Sequence, residues 1–220
     1  MRAWSELTAV LAPPACVACR EVVAAGELVC AGCRRALPWL RGWRCPRCAL
    51  PHHRGSGCPA AGLAFGRAWS PLAYDGTARA LVQALKFRAS LPVADLMAAH
   101  IAATLPGDLR GRTVVAVPAH PARRRARGFD PAERLVARLA VRLGGASAPV
   151  LRRRDRAGRQ VRAGRAARRA PGRIEVSVSG TPPDAVLLVD DVHTTGATLD
   201  ACARALAGAD VAAVTYARTL

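Results

Sequence analysis

No run of eighteen uncharged apolar residues occurs in the 220-residue chain, so the sequence offers no ordinary membrane-spanning helix. The amino end, MRAWSELTAVLAPPACVAC, has an early acid and a Pro-Pro break before any long apolar segment forms. That argues against a leader peptide and sets the expectation of a cytoplasmic protein without membrane insertion. Aromatics are scarce at 4%, too few for an extended base-stacking surface; three of them, Trp39, Trp43 and Trp69, lie near the cysteine-rich amino end. Lysine is nearly absent, Lys86 being the only one among 33 basic residues.

What is present is arginine, and its placement says more than its total. The formal charge is +18, and +14 of it falls between Arg123 and Arg173, where 17 arginines face Asp130, Glu133 and Asp155. A basic surface that dense attracts polyanions, either nucleic acid or small phosphorylated ligands, although many charge runs are no more than solvated faces. The 51% apolar content is enough for a packed core, and the length suits one ordinary domain with a small extra module.

Seven of the eight cysteines precede residue 60, as Cys16-x-x-Cys19, Cys30-x-x-Cys33, Cys45-x-x-Cys48 and Cys58. An odd number suits disulfides poorly, and a reducing compartment disfavours them. Cys-x-x-Cys knuckles suit tetrahedral Zn2+, and the first two pairs form a complete four-sulfur structural site. The third pair gains Cys58, but the position that would complete a fourth knuckle is Ala61. His52 or His53 would close a Cys3His site; the alternative is a decayed site without metal. Cys202, alone in a helical segment, reads as a core residue.

Downstream, short apolar runs alternate with amphipathic stretches. Residues 67–75 read as a strand, 77–87 and 92–105 as helices, and 113–119 as a buried strand. Asp130 as N-cap, Pro131 and Glu133 signal a helix whose apolar face carries Leu135, Val136, Leu139 and Leu143. RIEVSV, AVLLVDD and VAAVTYARTL supply further strands, the last two joined by the helix ATLDACARALAG. The expected fold class is α/β, a parallel sheet with helices on both faces and a cysteine-rich module before it, divided as 1–63 and 64–220.

The stretch VLLVDDVHTTGAT, residues 186–198, runs a buried strand into two carboxylates and then into a hydroxyl-rich turn opening a helix. Helix-terminal amides, a glycine and threonine hydroxyls make a phosphate cradle. Asp190 and Asp191 would repel a phosphate and instead suit hydroxyls or a divalent cation. A sugar phosphate with Mg2+ satisfies both.

This stretch resembles the phosphoribosyl pyrophosphate motif of type I phosphoribosyltransferases. The whole chain is similar to the ComF/GntX family, a zinc-bearing branch of that fold linked to DNA uptake in competent bacteria. The likeness extends to the paired cysteines, Leu85-Lys86-Phe87, VPAHPARRRARGFDPAERLVARLA, and the arginine-rich stretch with Gln160 leading into RIEV. It implies that Asp190 and Asp191 face the ribose, with Mg2+ alongside. Thr194, Thr195, Gly196, Ala197 and Thr198 would cradle the 5-phosphate, and the loop 118–127, with Arg123, Arg124 and Arg127, would hold pyrophosphate. Two functions are thus expected. One is phosphoribosyl transfer to an unknown acceptor. The other is binding of single-stranded DNA along the arginine surface among competence helicase or uptake proteins, the pocket being a sensor or vestige. The basic segment 152–173 is expected to form a mobile loop over the pocket.

Overall fold

The structure, a computed structural model, describes residues 13–52, 57–88, 90–154 and 174–220. Arg156, Gln160 and most of the segment expected to cover the pocket lie outside them, as does His53. After the cysteine-rich module, which contains the short helix α1 (Ala31–Arg35), come β1 (Arg67–Trp69) and β2 (Leu72–Ala73), then α2 (Gly76–Arg88) and α3 (Leu91–Thr104). They are followed by β3 (Thr113–Ala116), α4 (Pro121–Arg127), α5 (Pro131–Leu143), β4 (Leu151–Arg153), β5 (Val176–Val178), β6 (Ala185–His193), α6 (Ala197–Ala205) and β7 (Asp210–Arg218).

The main sheet is parallel, in the order β1-β7-β6-β3, with β2 also paired to β7. Four consecutive residues of β6, Val186 to Val189, are fully buried, as expected of a strand covered on both faces. Side chains alternate: Leu187 and Val189 pack with α2, α3 and α5, whereas Val186 and Leu188 pack with α6. Full burial of each such side chain contributes roughly 1.5–3 kcal/mol. The cysteine module meets both layers. Cys16, Val23, Val29 and Leu37 join the first cluster; Cys45, Cys48, Ala60 and Phe65 join the second. Cys202 is fully buried on α6, as its lone position in a helix suggested.

Several sequence-based expectations are corrected. Residues 67–75 form two short strands, because Ser70 and Pro71 intervene and the buried Ser70 hydroxyl turns to Thr215 at 2.6 Å. Residues of RIEVSV do not join the parallel sheet; β5 pairs antiparallel with β4 in a separate ribbon. Its side chains are only half-buried, so it packs on one face instead of completing the central sheet. The expected loop 118–127 contains α4, seven residues long, capped by His120 at its start and by Gly128 in the left-handed region. The helix at Asp130 forms as predicted: its carboxylate accepts the Ala132 N–H at 2.9 Å, and Pro131 opens the first turn.

Candidate functional site

β3 and β6 run side by side only as far as Ala116 and Val189. Beyond that point β3 turns away into α4, while β6 continues to His193 supported by β7 alone. The gap opened on the β3 side of residues 190–193 is a cavity of about 300 Å³, located where parallel sheets place ligands. The earlier expectation that the strand ends at the two aspartates is corrected. Asp190 and Asp191 lie within β6, which pairs Val192 and His193 with Ala217 and Arg218 before it stops.

The cavity collects Asp190, Asp191, Thr194 and Thr198 from β6 and the turn after it, Arg123 and Arg127 from α4, and Lys86 from the end of α2. Strand alternation sends the two carboxylates to opposite faces. Asp191, on the face shared with Leu187 and Val189, meets the Lys86 ammonium at 2.8 Å. Asp190 is half-buried on the other face; burial, and then the charge of Asp191, push its carboxyl up to about 8, while it accepts the Asp191 N–H at 2.8 Å. Asp130 is buried at the rim, where it accepts the Ala119 N–H at 2.8 Å and so fixes the chain leaving β3.

Not every expected residue lies in this cavity. Arg124 is outside it: its guanidinium pairs with Glu133 at 3.2 Å on α5. Thr195 and Ala197 line a separate, larger cavity between α6 and β5. The Thr195 hydroxyl lies 3.4 Å from the Ala197 N–H. Gly196 has φ of +82° and caps α6. A Cβ there would come within 2.8 Å of Leu63 Cδ1 and 3.0 Å of His193 Nε2, so both backbone conformation and space require glycine. His193, expected in the turn, is the last residue of β6 and only 2% exposed; its ring meets Phe65 edge-on at 6.0 Å. Burial, aided by Arg218, lowers its pKa to about 4, so it stands neutral beneath the turn.

Sequence reading missed two residues. Lys86 was noted as the sole lysine and as part of a resemblance, without a role, yet it is the ammonium partner of Asp191. Arg218 carried no signal in the sequence beyond its place at the end of an apolar strand. It is buried at 6% exposure and donates to the carbonyls of Cys48, His193, Thr194 and Thr219.

The Sγ atoms of Cys16, Cys19, Cys30 and Cys33 all lie within 4.8 Å of one another, as do those of Cys45, Cys48 and Cys58. Cys19 and Cys30, and likewise Cys45 and Cys58, stand 3.7 Å apart, close to the edge of about 3.8 Å for a tetrahedron of Zn–S bonds. Burial and the neighbouring sulfurs push Cys33 and Cys48 up to about 12. A cation would relieve that crowding, so both groups fit structural Zn2+, which would supply the charge that keeps these thiolates together. His52 is exposed and outside the second cluster, and no other described residue joins those three sulfurs.

Comparison with known proteins agrees with the cysteine module. Residues 7–62 match the double zinc ribbon domain. No curated protein matches the chain. Among solved structures, a hypoxanthine phosphoribosyltransferase from Staphylococcus aureus aligns with 55% of this chain at 15% identity and a TM-score of 0.32. The chain spans 59% of the length of that protein. Among the described residues no helix is long and apolar enough to cross a membrane. The chain is an α/β protein built on a parallel sheet, with a cysteine-rich module at its amino end that matches the double zinc ribbon domain.

Proposed function

We propose that the chain binds phosphoribosyl pyrophosphate, or a closely similar sugar phosphate, and transfers its phosphoribosyl group to an acceptor. One observation carries this reading: a single cavity gathers two adjacent carboxylates, two turn threonines and the arginines of a neighbouring helix. Thr194 and Thr198 supply hydroxyl donors where α6 begins, and the amino end of that nine-residue helix favours an anion. Asp190 and Asp191 are acceptors suited to a ribose diol. Arg123 and Arg127 are fixed cations suited to the pyrophosphate leaving group.

Both aspartates also suit Mg2+, a hard cation that prefers carboxylate oxygens. Asp190, held protonated by burial and by its neighbour, is a group whose charged form such a cation would stabilise. Bound Mg2+ would supply positive charge to the departing pyrophosphate. The chain itself positions the sugar, and Lys86 neutralises Asp191 until a ligand competes for that carboxylate. Positioning and charge stabilisation are the main demands of a transfer through an oxocarbenium-like centre. The likeness to the ComF/GntX family adds a setting, DNA uptake, with uptake proteins as partners.

A second reading, binding of single-stranded DNA, is supported by Arg134 and Arg138, which stand exposed one turn apart on α5. Phosphate contacts would dominate there, since aromatics make up only 4% of the chain. Calorimetric titration of phosphoribosyl pyrophosphate with Mg2+ into wild type and an Asp190→Asn, Asp191→Asn variant separates the two. Binding in wild type that the variant loses supports the transferase reading. No binding to folded, zinc-loaded wild type overturns it and leaves salt-dependent DNA binding to be measured.

A further inference from the structure

The turn expected to hold phosphate rests on the second cysteine knuckle, and one side chain joins them. Arg218, at the end of β7, donates from Nε to the Cys48 carbonyl at 2.9 Å. Its Nη1 serves the carbonyls of His193 and Thr194 at 2.8 and 2.6 Å, and that of Thr219 at 2.7 Å. A guanidinium at 6% exposure must be satisfied by such partners, because burying it unpaired would be very costly. The contact also has a direction. In a trans peptide the carbonyl and the next N–H point opposite ways. Drawing the oxygens of His193 and Thr194 toward Arg218 therefore turns the N–H groups of Thr194 and Thr195 away from it, as donors for an anion.

Other contacts tie the same parts. Leu63 packs on Gly196, and Phe65 packs on His193. The Ala64 N–H donates to Asp200 on α6 at 2.7 Å, and Arg204 of that helix reaches the Gly62 carbonyl at 3.2 Å. Arg47, inside the knuckle, holds the Ala60 and Leu63 carbonyls at 3.1 and 2.8 Å.

We infer that Arg218 is a positioning residue that sets the donor geometry of the 194–198 turn by holding its carbonyls against the Cys45–Cys48–Cys58 knuckle, so that the integrity of this knuckle controls anion affinity. The anion part rests on the phosphate reading above; the ordering part does not. A lysine at this position keeps the charge, but its single nitrogen cannot reproduce the planar fork that spans knuckle and turn.

The test measures amide exchange and ribose 5-phosphate affinity in wild type, Arg218→Lys and Cys58→Ser. The second variant disturbs the knuckle while leaving every turn residue and Arg218 in place. Both variants are expected to speed exchange by about tenfold or more at Thr219 and Asp200, whose N–H groups donate to the His193 and Gly196 carbonyls at 3.0 and 2.8 Å, with Leu187 and Val189 changing less than about twofold. Ribose 5-phosphate affinity is expected to fall by about tenfold in each. Thr219 and Asp200 amides as protected as in wild type in both variants would overturn the inference. Exchange that rises equally in β6 and in the turn would also overturn it, since that is what general destabilisation produces. Wild type that takes up no ribose 5-phosphate sinks the phosphate reading, while selective loosening of the turn in the variants still supports the role of Arg218.

Discussion

Replacing Asp190 by Asn is expected to change how stability depends on pH, because this carboxyl is the most perturbed acid of the site. Burial and then the charge of Asp191 raise it from 3.8 to about 8; the Asp191 N–H and Lys86 oppose the rise, and Asp130 adds to it. Between those two values the folded chain keeps a proton that the unfolded chain has released. Its stabilising contribution is therefore complete below the ordinary carboxylate value and is lost as pH rises through about 8. One proton of difference is worth about 1.4 kcal/mol per pH unit, so Asp190 alone lowers stability by roughly 3 kcal/mol from about pH 5 to about pH 7.

His193 acts in the opposite sense. Its folded value is lowered from 6.5 to about 4, so it adds stability as pH rises across that interval. The wild-type profile is expected to be nearly flat where the two overlap and to fall above it. Asp190→Asn, which retains only the His193 contribution, is expected to rise and then level off. Urea unfolding at a series of pH values measures both profiles, provided the slope with denaturant stays constant. Parallel profiles for wild type and variant would refute the reasoning, since they would mean that Asp190 carries no extra proton in the folded state.

Gly196→Ala is expected to destabilise the chain by about 2 kcal/mol or more, from the left-handed φ together with the clash against Leu63 and His193, and to weaken sugar-phosphate binding. Calorimetric melting and ligand titration of the one variant check both effects. Cys16→Ser, which removes a fully buried sulfur of the four-cysteine group, is expected to lose about one equivalent of zinc per chain and several kcal/mol of stability. Elemental analysis of the dialysed protein is the measurement, and an unchanged metal content would remove that sulfur from the zinc site.

Local chemistry explains what could be read in advance. Cys-x-x-Cys spacing brings thiolates together within a few residues, and Asp130-Pro131 sets a helix start through a cap and a fixed φ. A run such as Val186 to Val189 announces a doubly covered strand because both faces are apolar. Features that depend on how one element packs on another were not readable. Nothing near Arg124 shows that it will meet Glu133 on the next helix instead of the cavity. Arg123 and Arg127 differ from it only by their angle around α4.

The sequence by itself determined most of the element types, the Cys-x-x-Cys pairs and the glycine turn that opens α6, because each depends on contacts within a few residues. Only the tertiary structure decided where β6 loses its neighbour, and hence where the cavity opens. It also set Lys86 against Asp191 and placed Arg218 between a cysteine knuckle and a turn, bridging to Cys48 from 170 residues away. Such pairings follow from sheet order and strand register, which arise from burying two apolar faces at once and leave no trace in the residues on either side of each group.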